Sequence, residues 1–159
     1  LEAVAALRKR RAVRVIIAGE GPVRNRLIDR ARALGISDLV AFRPKVDRSG
    51  VAELLKESQI FVLPSLREGL PMALLEAMAS ANTIIASKLP SITEVLGEAG
   101  LYFSPGQSNE LASALRLALN DQELQREKGR AARQRVQEKF SWEIVLPMIE
   151  DLYREALAG

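Results

Sequence analysis

The stretch QIFVLPSLREGLPMALLEAMASANTIIAS, residues 59–87, decides the architecture of this chain. Gln59–Leu63 is a short apolar run stopped by Pro64 and Ser65, and Thr83–Ala86 is a second such run. Between them Pro71, Leu74, Leu75 and Met78 recur at helical spacing. Neither short run alternates polar with apolar residues, so each reads as a strand buried on both faces, as parallel strands joined through a helix are. Working outward, Val13–Ala18, Asp38–Phe42 and Leu101–Phe103 repeat the strand signal. Helices fall between them, one opened by Pro22 and ended at Gly35, one short and marked by Val51, Leu54 and Leu55. Residues 1–10 read as the tail of a helix, 87–94 as a turn-rich link, and three helices near 108–120, 122–139 and 142–157 close the chain. Strands alternating with helices predict an α/β domain with a doubly wound parallel sheet and C-terminal helices.

Composition agrees with a globular chain and removes whole classes of chemistry. Of 159 residues 48% are hydrophobic and 27% charged, while aromatics are only 4%, so the core must be aliphatic. Cysteine and histidine are both absent, which excludes disulfides, thiolate chemistry, zinc held by His or Cys, and any Ser-His or Cys-His nucleophile. No apolar run approaches a membrane span, and no signal peptide opens the chain. Net charge is +3, with an isoelectric point near 9.5.

In doubly wound sheets ligands bind beyond the carboxyl ends of the strands, which selects the loops 19–22, 43–47, 64–71 and 87–94. In the third of these a buried strand feeds a Gly-containing loop and then a helix N-terminus, whose free N–H groups and dipole favour anions. Glu76 is the only charge between Leu70 and Ala81. At about 100° per residue it points roughly 150° away from the stripe Pro71, Leu74, Leu75, Met78. A lone carboxylate there either sits on a solvent edge, tied to a nearby Arg, or faces a polar cleft.

The spacing Glu68-x7-Glu76 in EGLPMALLE, after a strand ending in Pro64-Ser65, resembles the Glu-x7-Glu motif of the group 1 (family 4) retaining, nucleotide-sugar-dependent glycosyltransferases. The resemblance extends over nearly the whole chain. VRVIIAGEGPVRNRL is similar to the family's strand–GxGP–helix unit, and LVAFRPKVDRSGVAELLKESQIFVLPS to its next two strands. TIIASKLPSITEVL, GLYFSP and FSWEIVLPMIEDLYREAL resemble the segment after the motif helix, the last strand and the closing helix. Such collinear agreement favours the cleft for Glu76 over the solvent edge.

The resemblance implies the donor-binding C-terminal domain of the two-domain GT-B fold, Rossmann-like, over residues 1–159, binding a nucleotide-diphosphate sugar for retaining transfer to a glycan, lipid or small-molecule acceptor. It implies that Glu68 contacts the donor sugar's hydroxyls as the catalytic-site carboxylate, and that backbone amides of Gly69, Leu70 and Met72 lie against sugar and diphosphate, Pro71 having none to give. It places Glu76 on the ribose diol, Gly19 and Gly21 at the donor, and the base near Arg43, Pro44 and Lys45. No cofactor and no metal are implied, and no Asp-x-Asp motif occurs. Cytoplasmic localisation is expected, with peripheral contact with an anionic membrane left open and no nucleic acid as partner.

The chain departs from the family pattern at Ser80-Ala81-Asn82-Thr83, where a small-Gly-x-Pro turn is usual, and at Leu89-Pro90-Ser91, where a Gly-Gly pair often stands. Arg43-Pro44-Lys45 likewise replaces a turn that commonly holds Gly. The arginine and lysine that clamp the diphosphate lie upstream of anything matched to residues 1–7. A truncated chain is therefore expected, without its acceptor-binding N-terminal domain and inactive alone.

Other readings of the residues stay open. Gly19-Glu20-Gly21-Pro22 begins like a dinucleotide fingerprint, but Arg24 takes the third Gly position and no acid ends the next strand, although Arg43 there suits a 2′-phosphate. An NADP-binding module and a degenerate interaction scaffold are the alternatives. The basic run Arg8–Arg11 and the Arg/Lys-rich helix around 126–139 read as solvated faces, since acids are interleaved in the latter and stacking aromatics are absent. In the last helix Phe140 and Val145 flank a Ser141 cap as a hydrophobic staple, and Pro147 is expected to bend the axis. Ile149, Leu152, Tyr153 and Ala156 form an apolar stripe that is expected to be partly exposed.

Overall fold

The computed structural model describes residues 1–8 and 13–158, the side chain of Ala158 excepted. Helix α1 (Glu2–Leu7) leads to β1 (Val15–Ala18), α2 (Arg24–Ala33), β2 (Val40–Arg43), α3 (Arg48–Glu57), β3 (Ile60–Leu63) and α4 (Met72–Ala79). Then follow β4 (Thr83–Ser87), α5 (Pro90–Leu96), a short 3-10 turn (Gly97–Ala99), β5 (Leu101–Phe103), α6 (Ser108–Asn120), α7 (Gln122–Phe140) and α8 (Trp142–Ala158). Most of the basic run, Lys9–Arg11, lies outside the described residues.

All pairing is parallel, as the buried apolar runs predict. It falls into two hydrogen-bonded groups, β1 with β2 and β3–β4–β5, rather than one unbroken ladder. Strand β4 is central and buried along its whole length. Its side chains alternate between faces: Ile84 and Ala86 join a core built from Leu55 of α3, Leu74 and Met78 of α4, Ile92 of α5 and Ala132 of α7. Ile85 turns the other way, onto Ala3 and Leu7 of α1 and Leu115 of α6. Helices thus cover both faces of β4, the doubly wound arrangement, whereas β1 and β2 are not buried on both faces as expected and leave Ile16, Ala18 and Ala41 exposed. Under β1–β2 a third core collects Val4, Ala31, Ile36 and Val40. Helix α1 contributes to both the second and third cores, which ties the two strand groups together. Each such buried aliphatic side chain contributes roughly 1.5–3 kcal/mol over its exposed state.

Several local expectations change. The link 87–94 contains α5: Pro90 supplies a preset φ at the helix start, and Ile92, Val95 and Leu96 bury one face. Pro22 does not open α2, which starts two residues later behind Val23, and Pro71 caps α4 rather than beginning it. The buried face of α4 is Leu74, Ala77 and Met78, with Leu75 half-buried and Met72 exposed, because packing against α7 rotates Ala77 inward. Helix α8 runs through Pro147 without interruption. Its apolar residues are more exposed than the stripe alone predicts: Trp142, Met148, Leu152 and Tyr153 are all open to solvent. No helix among the described residues is long and apolar enough to cross a membrane.

The departure at Ser80-Ala81-Asn82-Thr83 has a local explanation. Ala81 takes a left-handed φ of 58°, and Asn82 beside it is buried. The Asn82 Nδ2 donates to the carbonyls of Leu55 at 2.9 Å and Ser58 at 2.6 Å, closing the C-terminal end of α3. Across the turn, Gly129 of α7 lies so close that a Cβ there would meet the Ala81 carbonyl oxygen at 2.2 Å. At the far end of α5, Arg135 donates to Val95 O at 2.6 Å and Glu94 O at 2.8 Å, and Lys128 to Glu98 O at 2.8 Å. The Tyr102 hydroxyl donates to Gly97 O. These side chains satisfy carbonyls that a helix end leaves unpaired.

Candidate functional site

The expected site residues gather at the carboxyl ends of the strands, in two sets. At the first, Gly19 follows β1 with φ 141°, a conformation that excludes most side chains, and its N–H donates to Arg43 O at 3.2 Å. That bond joins the loop holding Gly19 and Gly21 to Arg43, Pro44 and Lys45. Open space lies over both glycines. Arg43 and Lys45 are exposed and make no ion pair among the described residues. Asp47 just beyond accepts from the Gly50 N–H at 2.8 Å as the cap of α3, and that bond, followed by the Ser49 hydroxyl, lowers its pKa.

The second set follows β3. Glu68 is half-buried in the loop before α4. Its Oε1 accepts from the Ser65 hydroxyl at 2.6 Å, and its backbone carbonyl accepts from the Ser91 hydroxyl of α5 at 2.9 Å. Gly69 has open space where a side chain would stand, and Leu70 and Met72 are exposed around it. Pro71 is buried, so it anchors the start of α4 against the core. The first turn of α4 therefore presents its free N–H groups at an open surface, a geometry suited to an anion.

Glu76 lies one turn further along α4, half-buried. Its carboxylate makes no hydrogen bond or ion pair among the described residues, so no described arginine is tied to it. A carboxylate that no described protein group occupies has its oxygens available to accept from a ligand. No hydrogen bond joins the two sets, and each is held by its own strand group. Sequence reasoning passed over Ser65 and Ser91 as functional residues. Ser65 was legible from its place beside Glu68, whereas the contact of Ser91 spans 23 residues and follows only from tertiary packing.

The site is an open edge. Two surface depressions, of 470 Å³ beside Tyr102 and Leu117 and of 730 Å³ between α1 and α2, lie elsewhere. No three acidic residues converge as a metal site would require, among the described residues.

In a parallel α/β domain of this kind the open edge at the carboxyl ends of the strands is where a ligand binds. Residues 1–135 match the family of group 1 glycosyl transferases, and the chain belongs to that family. It is 31% identical to a glycogen synthase of Mycobacterium tuberculosis, over 99% of this chain and 40% of that protein. The chain thus spans less than half the length of this relative. In fold it is similar to Anabaena Alr3699/HepE, solved in complex with UDP and glucose, with a TM-score of 0.87 and 20% identity over 96% of this chain and 43% of that one. It is similar as well to the C-terminal domain of a group 1 glycosyltransferase, LpcC, from Francisella tularensis, with a TM-score of 0.78 and 23% identity over 88% of this chain and 76% of that one.

Proposed function

We propose that this chain is the donor-binding, C-terminal domain of a retaining, metal-independent glycosyltransferase that takes a nucleotide-diphosphate sugar. The observation that carries the reading is the contrast between its two motif glutamates: Glu68 is held by Ser65 at its carboxylate and by Ser91 at its backbone carbonyl, and Glu76 is half-buried with no partner among the described residues. A carboxylate accepts from both hydroxyls of a vicinal diol. Glu76 takes the ribose and Glu68 the sugar hydroxyls, while the amides of Gly69, Leu70 and Met72 receive the diphosphate at the start of α4. Arg43, Pro44 and Lys45 flank the base, and the open space at Gly19 and Gly21 admits the ligand against the backbone.

In this reading the leaving diphosphate itself accepts the acceptor's proton on the same face of the sugar. The protein supplies positioning and electrostatic stabilisation of the charge that develops there. The acceptor-binding domain and the arginine and lysine that clamp the diphosphate in the resembling family have no match in this chain, so weak donor binding and no sugar transfer are expected of it alone. Cytoplasmic placement follows from the supply of nucleotide sugars there. Calorimetric titration with UDP, GDP and their sugar conjugates, beside NADP, tests the reading. Binding of the diphosphates and not of NADP is expected. NADP binding with no response to either diphosphate would replace it with a dinucleotide module.

A further inference from the structure

The loop that carries Glu68 is almost untethered by its own backbone: none of residues 65–70 makes a backbone–backbone hydrogen bond. Both side-chain tethers end on Glu68. Ser65 Oγ holds the carboxylate, but Ser65 belongs to the loop and travels with it. Ser91 Oγ holds the carbonyl from a different element, the first turn of α5. The opposite end of α5 is fixed by Arg135, Lys128 and Tyr102 on the carbonyls of Glu94, Val95, Glu98 and Gly97. Its middle is fixed by Ile92, Val95 and Leu96 in the core. Ser91 is thus a rigidly mounted donor, and among the described residues its bond is the one hydrogen bond from this loop to the body of the domain.

We propose that Ser91 is a positioning residue that latches the 65–70 loop to α5 and so presets Glu68 for the sugar of the donor. The proposal rests on the donor reading and adds to it a residue that touches no substrate. Glu76 needs no such device, because helix α4 fixes it through Leu74, Ala77 and Met78. The latch therefore bears most on the sugar, which Glu68 holds, and less on the nucleoside diphosphate, which meets the latched loop only through the Gly69 and Leu70 amides.

The test is Ser91→Ala and Ser91→Thr in the whole chain, with UDP and UDP-glucose as ligands and tryptic cleavage after Arg67 as a readout of loop opening without ligand. Arg67 is exposed within the latched loop. Loss of one neutral hydrogen bond predicts UDP-glucose affinity about threefold to tenfold lower in Ser91→Ala, with a smaller loss for UDP, which loses only the ordering of the Gly69 and Leu70 amides. Cleavage after Arg67 rises by about the same threefold to tenfold, and Ser91→Thr restores both. Unchanged cleavage and affinity overturn the latch. So does an equal loss of both ligands with a lowered melting temperature, which marks general destabilisation. If the parent chain binds neither ligand, the donor reading fails, and cleavage after Arg67 alone decides whether the latch exists.

Discussion

Replacing Gly129 by Ala tests how tightly α7 is pressed onto the turn behind the motif helix. Two effects oppose each other. Alanine improves helix propensity by about 0.5–1 kcal/mol. Its Cβ, however, would sit 2.2 Å from the Ala81 carbonyl oxygen and 3.2 Å from the Ala81 carbonyl carbon, both backbone atoms. Nothing at the end of a flexible side chain can swing away. Relieving the contact needs roughly an ångström of separation, and α7 cannot retreat freely because Ala132 and Val136 are in the same core as Ala77 and Met78. Overpacking of this kind costs about 1–3 kcal/mol or more, so the clash outweighs the propensity gain and net destabilisation of about 1–2 kcal/mol is expected. In urea that lowers the midpoint by about 0.5–1 M at unchanged slope. The site also feels the change, since Ser80 donates to the Glu76 carbonyl at 3.0 Å immediately before the turn. A variant as stable as the parent, or more so, would refute the close approach.

The neighbouring residue predicts the opposite sign. Ala81→Gly relieves a left-handed alanine and should raise stability by up to about 1 kcal/mol, the gain being trimmed by the looser unfolded chain. A lower urea midpoint would contradict it. The pH dependence follows from carboxylates with lowered pKa. Glu2 is lowered first by a backbone hydrogen bond and then by Arg30, Asp47 by the Gly50 N–H, and Glu110 by the Ser104 N–H. Their folded values lie below the unfolded ones, so their stabilisation is complete above about pH 5 and is lost as pH falls through about 4 and below. With no histidine, the urea midpoint should stay level between about pH 5.5 and 7. A slope there would show that a group outside this set controls folding.

The strand signals were legible because buried parallel strands form continuous apolar runs, and all five start within two residues of where the residues place them, although only β4 is buried along its whole length while β1 and β2 expose alternate residues. The three closing helices were legible from length and periodicity. Helix α5 was not, since Leu89-Pro90-Ser91 carries turn residues. The spacing of Ile92, Val95 and Leu96 held the helical signal, but seven residues are too few for periodicity to outweigh a proline. Glu76 declared itself as a lone charge on an apolar helix. What the sequence could not show is cooperation at a distance: Asn82 closing α3, Arg135 holding α5, and Ser91 holding Glu68. Each is a polar side chain that meets a backbone carbonyl 24 or more, 40 or more and 23 positions away. Contacts of that kind depend on how elements pack.

The central claim, that Glu68 and Glu76 divide one nucleotide-sugar ligand between them, is tested most directly by calorimetry of Glu76→Gln and Glu68→Gln with UDP and UDP-glucose. A hydrogen bond to a charged group contributes about 1.5–3 kcal/mol. Glu76→Gln should therefore weaken both ligands by about tenfold or more, whereas Glu68→Gln should weaken UDP-glucose and leave UDP unchanged. An equal effect of Glu68→Gln on both ligands, or no effect of Glu76→Gln on UDP, would contradict the account.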